Sequence, residues 1–149
     1  MVLYKTIMKI TEKNFLYTMT AIRQRLFKFL KHELAKTHIE GIAPSYGDIL
    51  FVLDQEGPIT MQELAKHTIK DKSTISSVIN KLEAGGYIVK EKDAGDARFT
   101  NLTLTPKAVA LRPVLFAISE KMNAKMFEGL TDAEKGMLFE LLGKVYRNL

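Results

Sequence analysis

The sequence predicts a mainly α fold of the α+β kind: a winged helix-turn-helix flanked by long N- and C-terminal helices. Three observations predict it. Two short helical segments are separated by only four residues, Thr68-Ile-Lys-Asp71. The second stops at Gly85-Gly86 and runs directly into two strand-like stretches around a polar turn. Longer segments with apolar residues at helical spacing stand on either side. Short helices joined by a tight turn and followed by a hairpin make this architecture.

In order, residues 11–37 carry Met19, Ile22, Leu26, Phe29/Leu30 and Leu34 at helical spacing, with Thr11 as a candidate cap. A second helix is expected from Pro44 to Gln55, its apolar face built by Ile49, Leu50 and Leu53. Proline suits the first helical position there, and Gly57-Pro58 breaks the helix. Ile59-Thr60 is too short to assign by itself. Thr60-Met-Gln-Glu63 is a capping box opening a short helix, Met61 to His67. Asp71 caps the next, Lys72 to Ala84, and Gly85-Gly86 ends it. Tyr87 to Lys92 and Phe99 to Leu104 read as strands, and Asp93-Ala-Gly-Asp-Ala-Arg98 between them is turn chemistry. Thr105-Pro106 starts a long helix striped by Leu111, Val114/Leu115, Ile118, Met122 and Met126. Pro113 lies inside that stripe, so a kink is expected. A second capping box, Thr131-Asp-Ala-Glu134, opens the last helix, with Met137/Leu138, Leu141/Leu142 and Val145 as its stripe.

The 149 residues favour one domain, 1–149, long enough for a real core. No run approaches the roughly 18 apolar residues of a membrane span. The first residues alternate apolar and basic too quickly for a signal peptide, so a cytoplasmic protein with no membrane partner is expected. The chain has no cysteine, which excludes disulfides, thiolate zinc sites and thiol redox sensing. Its net charge is +5 and unevenly placed. Residues 1–40 hold eight Lys/Arg against three Asp/Glu, whereas residues 70–98 hold six against five. Any contact of the 70–98 region with nucleic acid therefore rests on placed groups, not bulk charge.

The segment KDKSTISSVINKLEAGGYI, residues 70–88, is helical by pattern yet crowded with poor helix formers. At 100° per residue, Ile75, Val78, Ile79 and Leu82 fall on one side. Lys72, Ser73, Thr74, Ser76, Ser77, Asn80 and Lys81 occupy the other. A merely solvated face would more favourably use Glu, Lys and Gln, because Ser and Thr compete for backbone hydrogen bonds. Short hydroxyl and amide groups let a helix lie close to a surface rich in donors and acceptors. The major groove is such a surface. Lys72 and Ser73, near the helix start, are placed to meet a phosphate. Lys90, Lys92 and Arg98 flank the hairpin tip.

The element order resembles the MarR family of winged-helix transcription regulators, and so do several runs. These are Glu63-Leu64-Ala65, Asp71-Lys72-Ser73-Thr74-Ile75-Ser76, Leu82-Glu83-Ala84-Gly85-Gly86, Asp96-Ala97-Arg98 and Leu102-Thr103-Leu104-Thr105. The resemblance covers nearly the whole chain. It implies a homodimer that acts as a repressor and binds a pseudo-palindromic operator in double-stranded DNA. It implies that residues 72–84 enter the major groove while the 93–98 tip touches the minor groove. Asp96 matches the aspartate that orients the arginine two residues on, making Arg98 the DNA contact. Residues of about 1–40 and 105–149 would be dimerisation helices, and about 44–104 the DNA-binding lobe. The chain departs from the family pattern at Ile69, where glycine is frequent, and at Ser77, where a basic residue is frequent. Ala97 makes the wing less basic. These departures bear on affinity and sequence preference, not on class.

The resemblance also implies a small aromatic or anionic effector between the dimerisation region and the DNA-binding lobe, with Arg23, His38 and Tyr46 as candidate lining residues. A zinc site from His32, Glu33 and His38 fails on spacing, so no metal and no cofactor are expected. Met122 and Met126 read as core. No nucleophile–base pair or phosphate loop is present, which argues against an enzyme. The competing reading is a winged-helix protein-interaction scaffold without specific DNA binding. The modest charge of residues 70–98 supports it.

Overall fold

The computed structural model describes residues 9–149. The signal-peptide reading of the first residues, and the opening of the 1–40 dimerisation segment, lie outside the described residues. A 3-10 turn, Glu12–Asn14, leads into α1, Phe15–Ala35. Another, Pro44–Tyr46, leads into α2, Gly47–Glu56. Then come β1 (Ile59–Thr60), α3 (Met61–Lys66), α4 (Lys72–Ala84), β2 (Ile88–Lys92) and β3 (Thr100–Leu104). The chain ends with α5 (Pro106–Val109), α6 (Arg112–Met126) and α7 (Asp132–Arg147). No helix among the described residues is long and apolar enough to cross a membrane.

The sheet is antiparallel, in the order β1-β3-β2. Ile59 pairs with Leu102, and Ile88 with Leu104. Two-residue β1 is thus a genuine strand, stabilised by a partner far along the chain. The core sits in this lobe. Ile49, Leu64, Ile75, Ile79, Leu82, Ile88 and Leu102 are all fully buried, and Leu53 and Tyr87 nearly so. Burying one such aliphatic side chain contributes about 1.5–3 kcal/mol.

Local chemistry fixes the lobe's corners. Gly57 ends α2 at φ 73°, ψ −148°, a region open essentially to glycine. At the end of α4, Tyr87 N–H donates to Leu82 O (2.9 Å) and Gly86 N–H to Glu83 O (2.9 Å). This is the Schellman arrangement, with Gly86 at φ 75° and Tyr87 packed back on the helix. The Tyr87 hydroxyl then donates to Glu40 O, tying the hairpin to the segment before α2. Lys107 Nζ lies 4.3 Å from the Tyr87 ring centre and donates to Gly85 O.

Thr11 is the N-cap of the turn that leads into α1, and Asn14 Oδ1 accepts from its N–H at 2.8 Å. One expectation is corrected. The long helix after Thr105 is not kinked at Pro113 but divided before it. The chain turns at Ala110–Leu111, and Pro113 sits in the first turn of α6. Proline has no N–H to give Val109 O and its ring crowds that carbonyl, so α5 ends there.

Ion pairs join the terminal helices to each other, one of them to the lobe, and two parts of the lobe together. Glu33, 6% exposed, accepts from Lys36 on its own helix and from Lys121 of α6 at 3.1 Å. Lys36 first, then Lys121, holds the Glu33 carboxyl below its usual range. Arg112 of α6 pairs with Asp54 of α2, and Lys70 with Asp48.

Candidate nucleic-acid interface

Helix α4 runs from Lys72 to Ala84, as its sequence signals indicate. Asp71 Oδ1 accepts from Thr74 N–H, and Asp71 Oδ2 from the Thr74 hydroxyl, each at 2.8 Å. These two bonds, the backbone one foremost, hold the Asp71 carboxyl below its usual range. The cap thus fixes the helix start and commits the Thr74 hydroxyl proton. Thr74 keeps only an acceptor for a ligand. The same carboxylate occupies the helix's positive end, so a phosphate near Lys72 and Ser73 meets the Lys72 side chain rather than a free helix terminus.

Ile75, Val78, Ile79 and Leu82 are buried and pin α4 to the core. Lys72, Ser73, Thr74, Ser77, Asn80 and Lys81 are exposed, and Ser76 is half-buried. Residues three, four and seven apart share one side of a helix, so Ser73, Ser76/Ser77 and Asn80 form a single row. Short polar groups in a row on a rigid helix can approach base edges closely and offer both donors and acceptors.

The wing is fixed by two aspartates. Asp93 Oδ1 accepts from Gly95 N–H and Asp96 N–H, both at 2.9 Å, while Oδ2 accepts from Asn101 Nδ2 at 2.8 Å. The Asn101 amide, then the two backbone donors, lower the Asp93 pKa. Asp96 then takes Arg98. Nε donates to both carboxylate oxygens (2.9 and 3.0 Å) and Nη2 to Oδ2 (2.6 Å), while Arg98 N–H reaches Oδ1 at 3.0 Å. The guanidinium foremost, and then the Arg98 backbone N–H, holds the Asp96 carboxyl below its usual range. Reciprocally, Asp96 raises the Arg98 pKa. Arg98 remains 86% exposed, with its other guanidinium edge free. Lys92 Nζ reaches across the hairpin to Thr100 Oγ1 at 3.4 Å and is exposed.

Sequence reasoning placed Asp96 and Arg98 but overlooked Asp93, on which the tip is folded. The Asp-x-Gly spacing carried that signal, because an aspartate commonly accepts from backbone N–H groups two residues on. It also overlooked the bonds of Lys90 to Asn80 (2.9 Å) and Glu83 (2.6 Å).

The three effector candidates do not converge. Arg23 stacks on Phe27, its guanidinium carbon 4.6 Å from the ring centre. Tyr46 packs against the lobe core, and His38 is exposed beyond α1. The concavity between α1 and the Pro44–Tyr46 turn, about 310 Å³, is lined by Phe27, Lys28, Lys31, Pro44 and Ser45. Phe27 and two lysines at helical spacing were the signal for it.

A packed lobe, a polar-faced second helix and a wing ending in a fixed arginine define a winged helix-turn-helix protein. The MarR family model matches residues 40–98. The HTH-type transcriptional regulator BilQ of Clostridium symbiosum is 30% identical over 136 residues, covering 90% of this chain and 91% of that protein. A MarR family regulator from Listeria monocytogenes, solved with a 26mer DNA, superposes with a TM-score of 0.78 at 26% identity, over 95% of this chain and 89% of that one. BpsR of Bordetella bronchiseptica, whose DNA binding is regulated by 6-hydroxynicotinic acid, shares the fold (TM-score 0.76, 24% identity, 87% of this chain and 91% of that one). The chain belongs to the MarR family. It is a DNA-binding transcription regulator, and not an enzyme or a scaffold without DNA affinity.

Proposed function

We propose that two copies of this chain, paired through α1, α6 and α7, read a pseudo-palindromic operator in the cytoplasm and repress the adjoining gene. On this reading the row Ser73, Ser76, Ser77 and Asn80 meets base edges in the major groove. Thr74 supports it as an acceptor. Lys72, Lys81 and Lys92 meet phosphates, and Arg98, set by Asp96, enters the minor groove. The observation that carries the reading is the Asp93–Asp96–Arg98 construction. An exposed arginine would ordinarily sample many rotamers, whereas this one is held by a bidentate carboxylate on a folded tip.

Binding measured against salt tests it. Arg98→Ala should weaken binding to every sequence and lower the salt slope by about 1, whereas Ser76→Ala or Asn80→Ala should change which sequence is preferred. An unchanged preference in both helix variants removes α4 as the reading element. For the effector, the aromatic floor and paired lysines of the Phe27–Lys28–Lys31 depression suit a small aromatic anion, which supports release of DNA by such a molecule. Arg23 contributes there by holding Phe27. His38 and Tyr46 are peripheral to it.

A further inference from the structure

Lys90 lies on β2, outside the row of α4, and its charge is already met by Glu83 at 2.6 Å. A lysine whose ammonium is paired in this way is a poor phosphate ligand, because a phosphate there would also face the glutamate. The same ammonium donates to Asn80 Oδ1 at 2.9 Å. Lysine carries donors only, so the atom turned towards it is the carbonyl oxygen of the amide. The Asn80 amide group is therefore oriented, with Oδ1 towards the hairpin and the Nδ2 donors on the outward side.

We infer that Lys90 is a specificity-determining positioning residue, turning Asn80 into a hydrogen-bond donor that selects guanine rather than adenine. The inference rests on α4 being the reading helix. A free asparagine reads adenine with both amide atoms, accepting from N6 and donating to N7. An asparagine whose oxygen is engaged by Lys90 presents Nδ2. Guanine offers two adjacent acceptors, O6 and N7, in the major groove, and cytosine offers a donor that repels it. Glu83 completes the device. It fixes the ammonium against the end of α4 and cancels the charge that would otherwise draw Lys90 to the backbone.

The test compares sequences selected from a random duplex library by the wild-type dimer, Asn80→Ala, Lys90→Met and Lys90→Arg, with the salt slope of each on the selected site. The base pair whose preference disappears in Asn80→Ala is the one beneath that residue. The wild type should select guanine there. Lys90→Met, which keeps the stem and loses the donor, should move the preference towards adenine by roughly ten-fold, the lower range for a bidentate contact. Its salt slope should be unchanged, and Lys90→Arg should retain guanine. Adenine in the wild type, or a Lys90→Met protein with unchanged preference and a slope smaller by about 1, overturns the inference and makes Lys90 a phosphate contact. Asn80→Ala without any change of preference overturns this inference, while a preference that still changes in Ser76→Ala keeps α4 as the reading element.

Discussion

The DNA-binding lobe and the terminal helices treat their apolar residues in opposite ways. In α4 every residue of the apolar face is buried by the same chain, and so are Leu64 and Leu102 opposite it. In α7 no residue is buried. Met137, Phe139, Leu141, Leu142, Val145 and Tyr146 are all exposed, Tyr146 to 77%. The start of α1 is similar, with Leu16 78% exposed and Phe15, Tyr17, Met19 and Ile22 open beside it. Scattered exposed apolar residues are ordinary, but a helix that leaves its whole apolar stripe open marks an interaction surface. The lobe is therefore complete within one chain, whereas on the proposed reading the terminal helices are completed by a second copy. The division also suits function. A self-sufficient lobe keeps the row on α4 and Arg98 fixed relative to one another, and on the proposed reading the helices between two lobes set the spacing at which they read.

The largest expected effect tests the lobe. Leu82→Ala removes a fully buried side chain and should destabilise folding by about 2–5 kcal/mol, read from urea unfolding. The same truncation at Leu142 should leave single-chain folding nearly unchanged and be felt only through dimerisation. Equal losses at the two positions would erase the contrast.

Next is the open face. Leu141→Glu with Val145→Glu places charge on the α7 stripe. It should give a monomer by sedimentation whose helical signal is retained. Affinity for a two-half-site duplex should fall on the order of 100-fold, because the second contact is no longer held close. A dimer that survives this pair of changes places the interface elsewhere.

Smaller effects come from the wing. Asp93→Ala leaves Arg98 in place but removes the acceptor for Gly95, Asp96 and Asn101, so it should weaken binding several-fold while sparing the fold. Its effect should approach that of Arg98→Ala. The acid sensitivity of the tip has a definite sign. Asp93 and Asp96 have folded pKa values below their unfolded ones. Their contribution is present above the unfolded carboxylate value of about 3.9 and disappears as pH falls through the folded values. Between pH 7 and 5 the tip should not change. Carboxyl chemical shifts of these two residues measured against pH check this, and titration near pH 5 would contradict it.

How legible these regions were in the sequence follows from the range of the interactions that make them. The bounds of α4 are set by Asp71, three residues from the N–H it accepts, and by Gly86 at its end, so local pattern revealed them. Strand β1 was not assignable, because Ile59 becomes a strand only by pairing with Leu102. The division of the long helix before Pro113 was misjudged as a kink, since the sequence shows a proline in a stripe but not whether the turn before it stays closed. The Asp96–Arg98 pair came from a resemblance. Asp93 had a local signal that was read only as turn chemistry. The Lys90–Asn80 contact had none, because the two residues stand on different elements and meet only after the Gly85-Gly86 corner has folded.

On the proposed reading, two complete lobes are held in a fixed relation by helices completed across a dimer. Selecting a random duplex library with the purified full chain at ~150 mM salt, and sequencing what binds, tests it most directly. The expected result is an inverted repeat with half-site centres about one helical turn, or a whole number of turns, apart. Recovery of single half-sites without a partner, or of nothing above background, contradicts it.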